Sequence, residues 1–392
     1  MARLYTPESQ PDQEAEHGDG AETHTGIRAE TESRERPRAQ AEAEPAAEPA
    51  VRAASPAETE PAAEAEPAAP AAEAGTAKPR WRDPAGRWRR GWWVGGFALL
   101  LALVLLLHAR VPNEIGNLGS LLQTFLPWLG LAVPVLLVCA VLRRSATALV
   151  CLLAPILVWL NLFGGLLIDK SGQGGALMVV SHNVDADNAD PEGTARQLAE
   201  TGADLVALQE LPQNAVEIYE AGLADAYPYH VVQGTVGLWS RYPLSDTTPV
   251  DTGMGWVRAM RTTVRTEGIG DIAVYVAHLP SVRVQFRAGF TAERRDRAAE
   301  LLGRAIAEEQ LHRTVLLGDL NGTMNDGALA PLTSQLRSTQ GAAGAGFGFS
   351  WPASFPMARI DQILVRDLEP VSSWTLPATG SDHLPVAARL DP

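Results

Sequence analysis

The segment Thr314–Asn321, TVLLGDLN, places a carboxylate and a carboxamide at the end of an apolar run. The run is continuous rather than alternating and Gly318 punctuates its end, which predicts a short strand buried on both faces. Asp319 and Asn321 lie two apart, so an extended chain points both side chains to one side. A carboxylate beside a neutral amide on a rigid strand tip suits a hard cation, an attacking water or a phosphate oxygen. Gly, Asp and Asn are also ordinary turn residues, and the tetrapeptide alone does not separate the two readings.

Five further polar positions stand at or beside predicted strands. Asn183 follows the apolar stretch Ala176–Val180, Glu210 follows Asp204–Leu208, and His278 ends Ile272–His278. In the alternating segment Arg359–Val365, Asp361 shares a face with Ile363 and Val365, and a carboxylate on an inward face needs a partner. His383, beside Asp382 in GSDHLPV, is the obvious one. A carboxylate accepting from one ring nitrogen fixes the tautomer and lets the other nitrogen take a proton from water. Arg283 and Arg287, just beyond His278, are candidates for contacting a phosphate, because Arg presents a planar fork of donors. Singly, each residue reads equally well as a strand-end cap or a satisfied core side chain. Their shared placement argues for one site.

The elements that must position these residues alternate in type. Pro191–Thr201 reads as a helix opened by Asp190 with Pro at its first position. Phe290–Gln310 is an amphipathic helix with Ala298, Leu301, Leu302, Ala305 and Ile306 on one side, which makes Arg294, Arg295 and Arg297 a solvated face. Gly341–Gly348 reads as a flexible connection.

Composition divides the 392 residues into unlike parts. Residues 1–77 hold 17 acidic and 6 basic residues among Ala, Pro, Glu and Thr. With so few large apolar side chains they cannot offset the entropy of ordering, and disorder is expected. Residues 78–91 reverse the charge and interleave Trp81 and Trp88, as in a juxtamembrane anchor. Residues 92–170 contain three apolar segments, about 92–109, 121–142 and 145–168, each near the length that crosses a hydrocarbon core. Basic residues precede the first segment and Arg143–Arg144 separates the last two. The positive-inside rule therefore makes this a multi-pass cell-membrane protein with a cytoplasmic N-terminus, and residues 171–392 are extracellular. Both cysteines, Cys139 and Cys151, fall in the spans, so the outer domain must be held by its core alone.

Taken together, the segments SHN, ALQE, VAHL, LLGDLN, RIDQILV and GSDHLPV resemble the endonuclease/exonuclease/phosphatase superfamily, which includes DNase-I-like and sphingomyelinase-like enzymes. The resemblance implies an α/β (α+β) fold, a four-layer sandwich of two mixed β-sheets flanked by helices, following the three transmembrane helices and the tail. It also implies Mg²⁺-dependent cleavage of a phosphate ester or anhydride, with Mn²⁺ as substitute. Carried over residue by residue, Glu210 ligates the metal with Asn183 close by and Asp382 completing the acidic site. His278 binds the phosphate, Asp319 and Asn321 orient water and phosphate, and Asp361 holds His383.

Residues 171–392 carry 26 acidic and 16 basic residues and no Lys, a poor match to polyanionic DNA. A nuclease stays open as the second reading, and a catalytically inactive ligand-binding sensor as a third. The spans plus HLPSVR resemble actinobacterial membrane proteins linked to teicoplanin resistance. That resemblance implies a lipid-linked phosphate substrate, and nothing in the sequence points to a protein partner.

Overall fold

In a computed structural model of the chain, the described residues are 86, 91–113, 118–281 and 290–392. The acidic tail, the basic residues of the juxtamembrane segment, and Arg283 and Arg287 lie outside them.

Four apolar helices come first: α1 (Trp92–Leu107), α2 (Leu118–Thr124), α3 (Ala132–Leu142) and α4 (Ala146–Phe163). Helix α1 packs on α4 through small residues, with Ala98, Ala102 and Ala148 buried and Gly95 against Cys151, as close backbone approach requires. Their other faces expose Leu99, Leu103, Leu153 and Leu157. Trp92–Arg110 and Ala146–Leu166 are long and apolar enough to cross a bilayer.

The second expected span, 121–142, is not one straight helix. It breaks after Thr124, and the two halves meet at a bend of 68° across the 3₁₀ turn Leu126–Leu131. Pro127 has no amide to donate, which ends an α-helix and starts a new one. Two tryptophans then fix the bend, since Trp159 Nε1 donates to the Pro127 carbonyl (2.9 Å) and Trp128 Nε1 to the Met357 carbonyl (2.8 Å).

The remaining chain builds twelve strands and three long helices. Strands β1 (Leu177–Asn183), β2 (Leu205–Gln209), β3 (Tyr229–Gln233) and β4 (Val236–Ser240) enclose α5 (Pro191–Glu200) and α6 (Val216–Leu223). Then follow β5 (Leu244–Pro249), β6 (Ala259–Thr266), β7 (Gly270–His278), α7 (Phe290–Ala307) and β8 (Thr314–Asp319). The short β9 (Arg337–Ser338), β10 (Asp361–Arg366), β11 (Glu369–Thr375) and β12 (Val386–Asp391) complete the fold. One sheet runs β11-β12-β1-β2-β4-β3 and the other β5-β6-β7-β8-β10-β9. Each is mixed, with β1∥β2 in the first and β7∥β8 in the second.

Alternation along the strands makes the four layers. Val179, Ala207, Leu238, Val274, Val276, Leu317 and Ile363 meet between the sheets. On the outer face of the first sheet, Val206 and Leu208 pack on Leu198, Tyr219 and Leu223 of α5 and α6. Leu316, Tyr275 and Leu364 pack on Ala298, Leu302 and Ile306 of α7. This is the expected sandwich, and β8 is buried on both faces as its unbroken apolar run requires.

Two expectations fail. Gly341–Gly348 is packed rather than flexible, because Phe347 stacks on Phe349 (5.0 Å) and contacts Phe163 (5.8 Å), while Gly346 N–H donates to the Leu166 carbonyl (2.8 Å). Arg295 is not on a solvated face but fully buried. Its Nη1 pairs with Asp326 Oδ2 (2.6 Å) and donates to the Asn321 carbonyl (3.0 Å), and its Nη2 donates to Ser120 Oγ of α2 (2.9 Å).

Leu317 is fully buried between the sheets. Leu317→Ala is expected to cost about 2–5 kcal/mol of stability, read as a lower urea midpoint, with the exposed Glu308→Ala as the neutral control.

Candidate active site

Strand register brings the polar positions to one end of both sheets. His278 pairs with Asp319 across the parallel β7–β8 ladder, and Asp361 pairs with Asp319 across the antiparallel β10–β8 ladder. In the other sheet Asn183 pairs with Gln209, whose neighbour is Glu210. The sheets are joined at this end by Asn183 Nδ2, which donates to Asp319 Oδ2 (3.0 Å). The result is a cleft of about 980 Å³ lined by Glu210, Arg258, His278, Asp319, Asn321 and His383.

Asp319, 1% exposed, is the hub. Its Oδ1 accepts from the Asn321 backbone N–H (2.9 Å) and its Oδ2 from Asn321 Nδ2 (3.1 Å). His278 Nε2 and His383 Nε2 stand 3.8 and 3.9 Å from that same Oδ2. Burial pushes the Asp319 carboxyl up to about 7, against the lowering effect of His383. His383 gives Nδ1 to Asp361 Oδ2 at 2.8 Å. Burial pulls its ring down most strongly of any single influence, but Asp361, Asp319 and Asp382 together outweigh burial and hold it at about 10. The surrounding carboxylates thus favour the protonated ring.

The second imidazole is in the opposite state. Burial, and then the Arg258 guanidinium, hold His278 well below its ordinary value. Arg258 Nη2 lies 2.6 Å from His278 Nδ1, and Glu210 Oε1 lies 3.2 Å from Nε2. The same Arg258 Nη2 also lies 2.7 Å from Nε2, so the guanidinium crowds both ring nitrogens. Glu210 is itself shifted upward, by burial first.

Backbone geometry marks the same place. Asp185, Glu210 and Asn321 have positive φ of 61°, 55° and 47°. Such conformations cost about 1–3 kcal/mol each and persist where surrounding structure over-determines them.

Asn183, Glu210, His278, Asp319, Asn321, Asp361 and His383 are thus brought together. Asp382 stands at the rim, its side chain 56% exposed, 3.7 Å from His383 Nε2 and fixed by Trp351 Nε1 (3.2 Å). Arg283 lies outside the described residues. Sequence reasoning missed Arg258, Trp351 and the cleft acids Asp185 and Asp187. Arg258 had a legible signal, because it precedes a strand that pairs antiparallel with the one ending in His278.

The donors suit a hard divalent cation. Asp319, Asp361 and His383 each offer a ligand atom within 4.8 Å of the others. Asp361 Oδ1 is buried with no hydrogen-bond partner, the kind of orphaned oxygen a bound cation would satisfy. Asn183 is spent at both ends, donating to Asp319 and accepting from the Asp185 N–H (3.0 Å).

Residues 180–383 match the endonuclease/exonuclease/phosphatase family, and the chain belongs to that family. The fold is DNase-I-like. Similar solved structures include an endonuclease/exonuclease/phosphatase from Bacteroides vulgatus, 19% identical, covering 55% of this chain and 98% of that chain at TM-score 0.47. A mannosyl-6-phosphatase of Bacteroides thetaiotaomicron is 15% identical, with 55% and 99% covered and TM-score 0.46. A mutant beta toxin of Staphylococcus aureus with bound magnesium ions is 16% identical, with 54% and 99% covered and TM-score 0.43. No curated protein matches the chain.

His383 binds its proton more tightly folded, at about 10, than at its ordinary 6.5. The stabilisation is fully present below pH 6.5 and is lost as pH rises through 10. In chelator, wild-type stability should fall across that window more steeply than that of His383→Gln, followed by tryptophan fluorescence on denaturation.

Proposed function

We propose that the protein is a membrane-anchored, metal-dependent phosphohydrolase that cleaves a phosphate ester or pyrophosphate, with a lipid-linked substrate. The observation that carries this reading is the convergence on one cleft of Glu210, Arg258, His278, Asp319, Asn321 and His383, with Asn183 bonded to Asp319 across the two sheets and Asp361 bonded to His383. A phosphoryl centre repels anionic nucleophiles, so its hydrolysis needs a proton acceptor for water and donors aimed at the phosphate oxygens.

The residues divide these tasks. Asp319, near 7, is placed to take the proton of the attacking water, since a base works best with a pKa close to ambient pH. Asn321 and Asn183 fix that carboxylate. His383, held by Asp361, keeps a proton on Nε2 to give to the departing oxygen as the P–O bond breaks. Sequence alone instead has His383 take the proton of water and Asp319 orient that water. Arg258 and His278 supply donors to the equatorial oxygens. Glu210 would hold Mg²⁺ or Mn²⁺, with Asn183 close by and Asp382 at the margin. Bound there, the cation would neutralise phosphate charge and lower the pKa of water.

Two features support the lipid-linked substrate. The chain carries helices long and apolar enough to cross a bilayer, and Thr124 from the bent segment walls the cleft. The acidic balance of residues 171–392 disfavours DNA. The loop charges support a cytoplasmic N-terminus and an extracellular catalytic domain.

The test is hydrolysis by the full chain in detergent of undecaprenyl pyrophosphate, a phospholipid, bis-p-nitrophenyl phosphate and plasmid DNA. Phosphate release from a lipid should vanish in EDTA and return with Mg²⁺, and Glu210→Ala should lower it about 10²-fold or more. Nicking of the plasmid with no release from either lipid would make the protein a nuclease instead.

A further inference from the structure

The cleft borders the bent apolar segment at Thr124. An apolar groove of about 410 Å³ lies between Pro127–Pro134 and α4, walled by Trp128, Leu131, Trp159, Leu160, Phe347 and Phe349. Its polar atoms are already spent, because the indole N–H groups of Trp128 and Trp159 are bonded to the carbonyls of Met357 and Pro127. At Gly130 the backbone lies so close to the Trp159 indole that a side chain there would enter the ring.

A second cavity, of about 320 Å³, shares Pro127, Phe347 and Phe349 with the groove and Thr124 with the catalytic cleft. The five residues Thr124–Trp128 therefore run along all three spaces. This middle cavity differs in chemistry from the groove. Lys170 and Arg359 line it, and Arg359 is only 6% exposed with Nε and Nη2 lacking any partner among the described residues. An apolar trough leads through a cationic waist to an acid- and imidazole-lined cleft, and that order of chemistries complements an amphiphile read from its tail to its phosphate.

We infer that the groove walled by Trp128, Trp159 and Phe349 holds the hydrocarbon chain of a lipid phosphate whose headgroup reaches the cleft past Arg359. The inference rests on the lipid-linked reading above and adds to it where the chain sits. The bend at Pro127 is what makes this geometry: a straight span would carry Trp128 along the bilayer normal and away from Phe349, which it stacks on at 5.7 Å. The catalytic domain then supplies one wall of a site whose other wall is apolar helix, so the substrate stays in lipid while its phosphate is presented to water and metal.

The experiment uses the full chain in detergent with an undecaprenyl phosphate analogue carrying a photoreactive diazirine near the end of its chain. Labelled peptides should include 127–134, 156–160 and 347–349, and Leu160→Trp, which fills the groove without touching the cleft, should reduce labelling. In parallel, Leu160→Trp should raise KM for undecaprenyl pyrophosphate about tenfold, as loss of a few buried methylenes would. It should leave KM for dimethylallyl pyrophosphate and the rate on bis-p-nitrophenyl phosphate unchanged. Labelling confined to the outer faces of α1 and α4, or equal KM changes for the long and short pyrophosphates, would overturn the inference. Groove labelling without hydrolysis of either pyrophosphate would refute the hydrolase reading while leaving the groove assignment standing.

Discussion

Asp319 is a carboxylate with almost no contact with solvent, and a buried acid must be neutralised or surrounded by donors. The fold answers that requirement from both sheets. Asn183 reaches across from β1, Asn321 folds back from the chain just beyond β8, and two imidazoles approach the same oxygen from β7 and from the loop before β12. One ionisable group thus ties together elements separated by as much as 200 residues. Removing the charge would relieve a cost and empty the site of purpose at once.

The two histidines show how environment divides one residue type into two functions. Both are buried beside Asp319, and burial alone lowers both. His383 escapes because Asp361 bonds its far nitrogen and further carboxylates surround it, whereas His278 meets Arg258 there instead. A cation and a carboxylate in the corresponding place thus send the rings in opposite directions. The neutral ring is an acceptor and donor by tautomer, and the charged one is a proton store.

Strand tips were legible in the sequence because an apolar run ending in Gly, Asp, Asn or His has few other structural meanings. Parallel pairing then carries such tips to one edge. What the helix pattern did not give was the burial of Arg295. It sits where the pattern marks a solvated side chain, and beside its neighbour Asp296 it is held by Asp326 and Ser120, 31 and 175 residues away. Partners so distant leave no local periodicity to read. Arg258 was readable only through pairing, since it lies one residue outside its strand and its role depends on which strand pairs with that one. Hydropathy likewise gave the apolar length of 121–142 but not its bend, because Pro127 within a span is compatible with either a kink or a break.

The bent segment connects these observations. Arg295 bonds the Asn321 carbonyl with one nitrogen and Ser120 of α2 with another, so a single guanidinium spans the Asn321 loop and an apolar helix. Gln123 extends the link, accepting from the Thr323 hydroxyl at its carbonyl (3.2 Å) and from the Gly327 N–H at Oε1 (3.2 Å). A rigid tether would need none of these bonds, since covalent continuity at residues 164–176 already joins the parts. Fixing α2 against the loop that carries Asn321 instead sets the distance between an apolar helix surface and the carboxylate hub. Asn321 holds a positive-φ backbone, and its carbonyl is bonded to the same Arg295 that reaches the apolar helices. The loop that carries Asn321 is therefore held not by the sandwich alone but also by the apolar segment packed against it.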